Sequence, residues 1–566
     1  MLLQFNFYKL KREYILSLTF FSLSYFFSIL NPLHFNPWSG FLSEFITFLS
    51  LLILLFIFYN KKLLIPKLVT PIFLIALVPI FQFFLGQVFY FQKAVLASTY
   101  ILSFGIAYSM AYTICQKDKN IELSKIVMEL LSITFIIAGI FSACIAIIQW
   151  LGLVHDSEYI LNLVGNRPYA NMAQPNHLAT LLTLSLLSCL YFFEKRKNTL
   201  VLSIISVILI FCIALTQSRT TWLVSLFVLI FYWVKTKEFN FRLSKKKIFI
   251  WFLSYVLIIF SLPILNSVLS NYFNINDTST IVERASSGYL RLQIWDQMLH
   301  AIIQKPIWGY GWNQTTAAQY AVIDRVHGHE WASSAHNIIL DVIIWCGLPI
   351  GLIITGYFFY IYLTFLIKSK SSETIVATLM ISAVLIHSLL EYPLYYSYFL
   401  LPVGLLCGVV LSEISNDYIK VPLFFNWILI VFSFFGIGYI FTEYNKISDN
   451  MIAANMHEMN DLKTELILPY PIPFFDMFNE RAKWIALYPY SKVSSEELDQ
   501  SRKMVQTYLT PYDLYKFAKL LAFNGHKEEA IRQLTILKIM YNQSYSYESL
   551  FVKEASVKKT YSVAKQ

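Results

Sequence analysis

Apolar residues along this chain fall in long runs, with neither the period of two of a surface strand nor a heptad seam. The runs occupy 14–31, 40–59, 68–86, 94–115, 127–151, 177–193, 199–216, 220–234, 248–265, 338–367, 374–390, 396–415 and 422–442. A bilayer-spanning helix takes roughly 20 apolar residues, so the pattern predicts about thirteen spans. Two segments break it. The first, 266–337, is a connection of roughly seventy residues, and loops of that size are usually functional. The second, 443–566, is polar. Within it "TPYDLYKFAKLLAFNGHKEEAIRQLTILKIMY" reads as helix, Asn-Gly turn, helix. Thr510 is its N-cap and Pro511 its first-turn proline. Ser494 and Glu497 form a capping-box pattern upstream. The helix pair reads as one tetratricopeptide-type unit. The expected layout is all-α and polytopic: spans one to nine over 1–265, a large loop over 266–337, spans ten to thirteen over 338–442, and a small helical domain over 443–566.

Composition sharpens this. The 566 residues are 57% apolar and 17% aromatic but only 14% charged, against about 25% in soluble domains. The net charge of +10 does not point to nucleic acid, because the basic residues sit in short clusters between runs. With the N-terminus in the cytoplasm, the inner loops hold Lys9, Lys11, Arg12, Lys61, Lys62, Lys117, Lys119, Lys195, Arg196, Lys197 and most other cations. The short outer loops hold only Lys93, Arg167 and Arg219. That asymmetry sets the orientation and leaves the C-terminal domain outside. The first run follows Lys9, Lys11 and Arg12 without a small-residue cleavage site, so it reads as a span and not as a removed signal. The six cysteines show no pairing or metal spacing and read as small apolar fillers.

Polar chemistry gathers on the outer side in four places. "GNRPYANMAQPNHLA" (165–179) packs Arg167, Asn171, Gln174, Asn176 and His177 into a helix start. A capped polar loop explains such a stretch, and so does an anion site at free backbone N–H groups. "TQSRTTW" (216–222) places Arg219 between two runs with almost no loop. It is either a snorkelling arginine or a charge lining a substrate path. "SGYLRLQIWDQMLHAIIQKPIWGYGWN" (287–313) contains an amphipathic helix over 289–304 suited to a membrane surface. On a wheel with Arg291 at 0°, Ile302 falls near about 20°, Trp295 about 40° and Met298 about 340°, while Gln293, Asp296, Gln297, His300 and Gln304 take the far side. Arg291 on the apolar face needs a carboxylate or an anionic ligand. Finally, "WASSAHNIIL" (331–340) places His336 and Asn337 at the mouth of an apolar run, and "HSLLEYPLYYS" (387–397) gathers Glu391, Tyr392 and Tyr395. Interfacial aromatics are common, but Glu391 is a partner for a histidine or an arginine. "HGHE" (327–330) with His336 matches no zinc spacing, so no metal is expected. Arginine forks with one neutral histidine suit transfer of a group from a lipid-linked pyrophosphate.

Four of these motifs resemble the O-antigen ligase and polymerase superfamily of bacterial membrane glycosyltransferases: "ANMAQPNHLA", "QSRTTW", "YLRLQIWDQMLHAIIQKPIWGYGWNQ" with "SSAHNIIL", and "HSLLEYPLYYSYFLLP". Within it they look most like the PglL-type protein O-oligosaccharyltransferases that glycosylate pilins. The resemblance covers about 160–415 and implies a GT-C-like membrane fold in the bacterial inner membrane, with a periplasmic active site. It implies en bloc transfer of a preassembled glycan from undecaprenyl diphosphate to Ser or Thr of pilins or other periplasmic proteins, with inversion and without metal or cofactor. It carries the family's essential histidine, glutamine and tyrosine onto His336, Gln174 and Tyr392. Its pyrophosphate-binding arginines fall on Arg219 and Arg291. Arg167, Asn176 and His177 join them on the donor side, with Asn337 and Glu391 in support.

Two alternatives stand beside this reading. One is a ligase or polymerase with a sugar acceptor. The C-terminal domain argues for a protein acceptor, so its deletion is expected to hurt protein acceptors more. The other is a transporter or flippase. Charges clustered on one side and no evident paired broken helices argue against it.

Overall fold

The computed structural model describes residues 2–116, 121–154, 157–275 and 289–552, with backbone alone at 2–11, 121, 122 and 289. Lys117, Lys119, Ser287 and Gly288 lie outside the described residues, as do the side chains of Lys9 and Lys11. The chain is an all-α, polytopic membrane protein. Each apolar run lies on a helix, and among the described residues 10 helices are long and apolar enough to cross a membrane. The three other runs form helices of 17 residues each, Thr199–Leu215, Arg219–Lys235 and Ser372–Ser388. At 1.5 Å per residue each is about 25 Å long, a little short of a roughly 30 Å hydrocarbon core. The expected thirteen spans thus reduce to ten that meet length and apolarity together.

Lipid supplies no hydrophobic drive between helices, so close packing needs small residues. Helix Ser397–Ile414 carries Gly404 and Gly408 four apart, and Phe91–Gln116 carries Ala107 and Ala111. A Cβ on Gly408 would lie 2.4 Å from the carbonyl oxygen of Tyr108 and 2.6 Å from the Ala111 methyl. A short antiparallel pairing of Leu64–Pro66 with Tyr418–Lys420 ties the same region at one end.

Two spans are interrupted. Thr70–Ile75 and Val78–Phe84 are separated at Ala76–Leu77. Ile338–Lys368 breaks at Gly347 (φ 75°, ψ 170°) just before Pro349. The break frees carbonyls that a bilayer cannot satisfy. The loop "PIWGYG" fills it: Tyr310 N donates to Ile344 O at 2.8 Å, Gly311 N to Trp345 O at 3.0 Å, and Leu348 N to Pro306 O at 2.7 Å. A Cβ on Gly347 would sit 2.1 Å from Ile307 O, so glycine is required there for both conformation and space.

Helices Pro175–Glu194 and Ser372–Ser388 run antiparallel. Lys195 at the end of the first meets Glu373 at the start of the second at 2.5 Å. Asn176 and Glu391 meet at the other end. The cationic end and the polar-motif end of the bundle are therefore opposite.

The last membrane helix does not stop at 442. It runs unbroken over Leu423–Met459, 37 residues, or about 55 Å; it contains no proline, and Gly436 and Gly438 are accommodated within it. The expected boundary at 443 falls inside it. Beyond it, four helices pack as a unit: Asp476–Ala486, Ser495–Thr507, Pro511–Phe523 and Lys527–Tyr541. The predicted caps are present. Thr510 accepts from Asp513 N, and Ser494 and Glu497 complete a reciprocal capping box. Five cysteines are buried as expected of fillers, while Cys144 is exposed on its helix.

Candidate active site

Three helix starts converge at the polar end. Gln174 caps Pro175–Glu194, its Oε1 accepting from His177 N at 3.0 Å. Ser218 precedes Arg219–Lys235. Asn337 caps Ile338–Lys368, its Oδ1 accepting from Ile339 N at 3.0 Å and Leu340 N at 3.3 Å. Helix N-termini carry partial positive charge.

At their meeting point lies Glu391, just past the end of Ser372–Ser388 and buried. Its Oε1 accepts from Arg291 Nη2 and, at 3.0 Å, from Asn176 Nδ2. Its Oε2 accepts from His336 Nδ1 at 2.7 Å. Burial pushes this carboxyl up, but the hydrogen bond and charge of His336 and the charge of Arg291 outweigh that and hold it at about 2. An ionised carboxylate at Nδ1 fixes the proton there and leaves Nε2 of His336 as the basic nitrogen. The His336 side chain is 25% exposed. Tyr392 lies against its ring, centroids 5.2 Å apart. Burial, then the charge of Glu391, raises the Tyr392 hydroxyl above its ordinary value, so it remains a proton donor.

The network extends through Asn176, whose Oδ1 accepts from Arg167 Nη2 at 3.1 Å, while Arg167 Nε donates to Thr216 O at 2.7 Å. Thr216 leads directly to Arg219, which lies within electrostatic range of both Arg291 and Glu391. Arg291 thus binds Glu391 directly, Arg167 is linked to it through Asn176, and Arg219 lies within electrostatic range.

His336 adopts φ 52°, a left-handed conformation that non-glycine residues rarely take. Asp341 holds the turn. Its Oδ1 accepts from Ala335 N at 2.9 Å and Thr315 Oγ1 at 2.8 Å, and its Oδ2 from Ser334 Oγ at 2.7 Å. Ser334 Oγ in turn accepts from His336 N at 3.0 Å, and Trp295 Nε1 donates to Ala335 O at 2.9 Å. Sequence reasoning missed Asp341. The available signal was a carboxylate in the first turn of an apolar helix, which is costly unless used.

Helix Tyr289–Gln304 buries Ile294, Met298, Ala301 and Ile302 on the side predicted from the wheel. Gln297, assigned to the solvent side, is instead fully buried, donating to Val326 O at 2.8 Å and accepting from Gln319 Nε2 at 2.9 Å. The returning loop covers that face, which a wheel of one helix does not register. His177 is not brought to the carboxylate. It lies buried below it, with Nδ1 3.2 Å from the Tyr398 hydroxyl and its ring 4.6 Å from that of Tyr396. Gln174 likewise acts at the helix cap. Of the "HGHE" group, His329 Nδ1 donates to Ile539 O at 2.8 Å. Among the described residues no three His, Cys, Asp or Glu side chains converge to hold a metal ion.

Three family models match the chain: O-antigen ligase over 204–355, virulence factor membrane-bound polymerase, C-terminal, over 375–555, and protein glycosylation ligase over 168–193. The chain is 35% identical to the general O-oligosaccharyltransferase of Acinetobacter baylyi, over 93% of each chain. It belongs to the PglL-type bacterial O-oligosaccharyltransferases. A second relative, the ComP-specific O-oligosaccharyltransferase of the same organism, is 31% identical over 72% of each chain. This oligosaccharyltransferase is therefore a membrane glycosyltransferase, and the transporter reading is set aside on that ground, the broken helices notwithstanding.

Proposed function

We propose that this enzyme transfers a preassembled glycan en bloc from undecaprenyl diphosphate to Ser or Thr hydroxyls of periplasmic proteins, pilins among them. One observation carries the reading: Glu391 binds Arg291 and His336 at once. A phosphate-binding cation and a base are thus fixed on one carboxylate. His336 Nε2 takes the proton of the acceptor hydroxyl as its oxygen attacks the anomeric carbon. The new C–O bond forms as the bond to the pyrophosphate oxygen breaks on the opposite face, giving inversion. The electron pair leaves with the diphosphate, whose charge Arg219, Arg291 and Arg167 stabilise. Tyr392 donates toward the same charge. Asn176 sets Arg167 against Glu391, Gln174 and Asn337 fix the helix starts that bear the site, and His177 supports Gln174 from below. These charges sit in the protein itself, which supports a metal-independent, cofactor-free reaction. The names of both relatives support an O-linked acceptor. The loop charges support an inner-membrane orientation with the site end periplasmic and the lysine-rich end cytoplasmic.

The test is intact mass spectrometry of a pilin from cells making a lipid-linked glycan, with wild-type enzyme or His336→Ala. A glycan-sized mass gain that needs His336 is expected. The ligase and polymerase matches over 204–355 and 375–555 define the other outcome. Unmodified protein with extended lipid A core or polymer would move the acceptor from protein to sugar.

A further inference from the structure

The C-terminal helical unit reaches the catalytic turn through helix Thr315–Val322, beside two direct contacts on the segment before the turn, His329 Nδ1 to Ile539 O and the Trp331 ring against Tyr508. One side of this helix holds the segment that ends in His336. Gln319 Oε1 accepts from Ala332 N at 2.9 Å, and its Nε2 donates to Glu330 O at 2.7 Å. Thr316 Oγ1 donates to Ala332 O at 3.1 Å, and Thr315 Oγ1 to Asp341. The other side is gripped from beyond the last membrane helix. Arg532 forks onto Asp324, Nε to Oδ2 at 3.1 Å and Nη2 to Oδ1 at 3.3 Å. Its Nη2 also donates to Tyr320 O at 2.7 Å, and its guanidinium lies 4.6 Å from the Tyr320 ring centroid. Gln533 Nε2 donates to the Tyr320 hydroxyl at 2.7 Å. Tyr320 and Ile323 are buried in one cluster with Trp484, Leu514 and Phe517 of the C-terminal unit.

A bidentate arginine–carboxylate pair fixes orientation as well as distance. Every layer between it and His336 is a hydrogen-bonded contact, and His336 sits in a strained conformation that its surroundings must impose. We infer that the C-terminal unit is part of the catalytic apparatus, with Arg532 and Asp324 as positioning residues that hold the His336 turn through helix Thr315–Val322. The effect on turnover rests on the transferase reading above; the mechanical link does not. It also changes what the C-terminal unit is for: the turn needs it whatever the acceptor.

The experiment uses the full chain in nanodiscs, as wild type, Arg532→Ala, and the swap Asp324→Arg with Arg532→Asp. The pair is partly exposed, at 30% and 25% for the two side chains, and the swap, which keeps both charges, controls for a general loss of fold. The first readout is amide hydrogen exchange over 330–337, which is independent of chemistry. About tenfold faster exchange is expected in Arg532→Ala, with near-wild-type protection in the swap. The second is steady-state transfer. A mispositioned base lowers kcat about ten- to a hundredfold with the donor KM and the pH profile unchanged. Unchanged exchange over 330–337 in Arg532→Ala overturns the inference, as does a rise in acceptor KM alone at constant kcat. If wild type transfers nothing, the proposed function fails, and the exchange data still decide the link.

Discussion

Two oxygens of Glu391 accept three side chains, from Arg291, Asn176 and His336. In the mechanism proposed above, replacing His336 with alanine is expected to lower kcat by about 10²- to 10⁴-fold, the usual worth of a general base, without loss of membrane insertion. Glu391→Gln replaces the carboxylate that Nδ1–H of His336 donates to with a neutral amide, so kcat falls by about 10- to 10²-fold. The same change has a pH signature. The carboxyl is held at about 2, below its ordinary 4.5. It therefore contributes stability that is full above pH 4.5 and lost as pH falls toward 2. The melting-temperature gap between wild type and Glu391→Gln, measured in detergent, closes on acidification through that window; a constant gap would remove the electrostatic account. At this scale the sequence was informative where one helix sufficed. Arg291 on an apolar face demanded a carboxylate or an anionic ligand, and it meets the carboxylate of Glu391. It was blind where a second element intervened, as when the returning loop buried Gln297.

Helix pairing imposes its own tests. Gly408→Val drives a branched side chain into the backbone of Tyr108. This predicts a loss of several kcal/mol, of the order seen for overpacking or larger, read as a lower midpoint in thermal aggregation. Asp341→Asn removes one acceptor from a three-donor turn and costs about 1–3 kcal/mol, with kcat falling and donor KM constant. On helix Tyr289–Gln304, Leu292, Leu299 and Ile303 form an exposed apolar stripe, continued by Ile307 and Trp308. The stripe lies about 100° round the helix from Arg291, away from the apolar face read from the wheel, and suits contact with a bilayer surface. A nitroxide at position 303 in a cysteine-free background should be relaxed more by oxygen than by a polar nickel chelate; the reverse order would lift this helix off the bilayer. The runs made these helices legible, but length and apolarity together pass ten of the thirteen. The break at Gly347 was not legible either, because its compensation comes from residues some forty positions upstream in the fold's loop, at Pro306–Gly311.

For the molecule as a whole, the polar tail had read as a separate acceptor-holding domain. Its capped helices were legible from Ser494, Glu497, Thr510 and Pro511, because caps are local chemistry. Its attachment was not, because Arg532 and Asp324 are 208 positions apart. From the sequence, losing this unit is expected to hurt protein acceptors more than sugar acceptors. The contacts on Tyr320 and Asp324 predict equal loss for protein and sugar acceptors, checked by assaying both with a chain ending at Met459. The grip on helix Thr315–Val322 also bears on engineering and on inheritance. Exchanging tails between relatives to redirect acceptor choice will yield inactive hybrids unless the stretch from Thr315 to Trp331 travels with the graft. For the same reason, substitutions on the two sides of that seam are expected to accumulate in step.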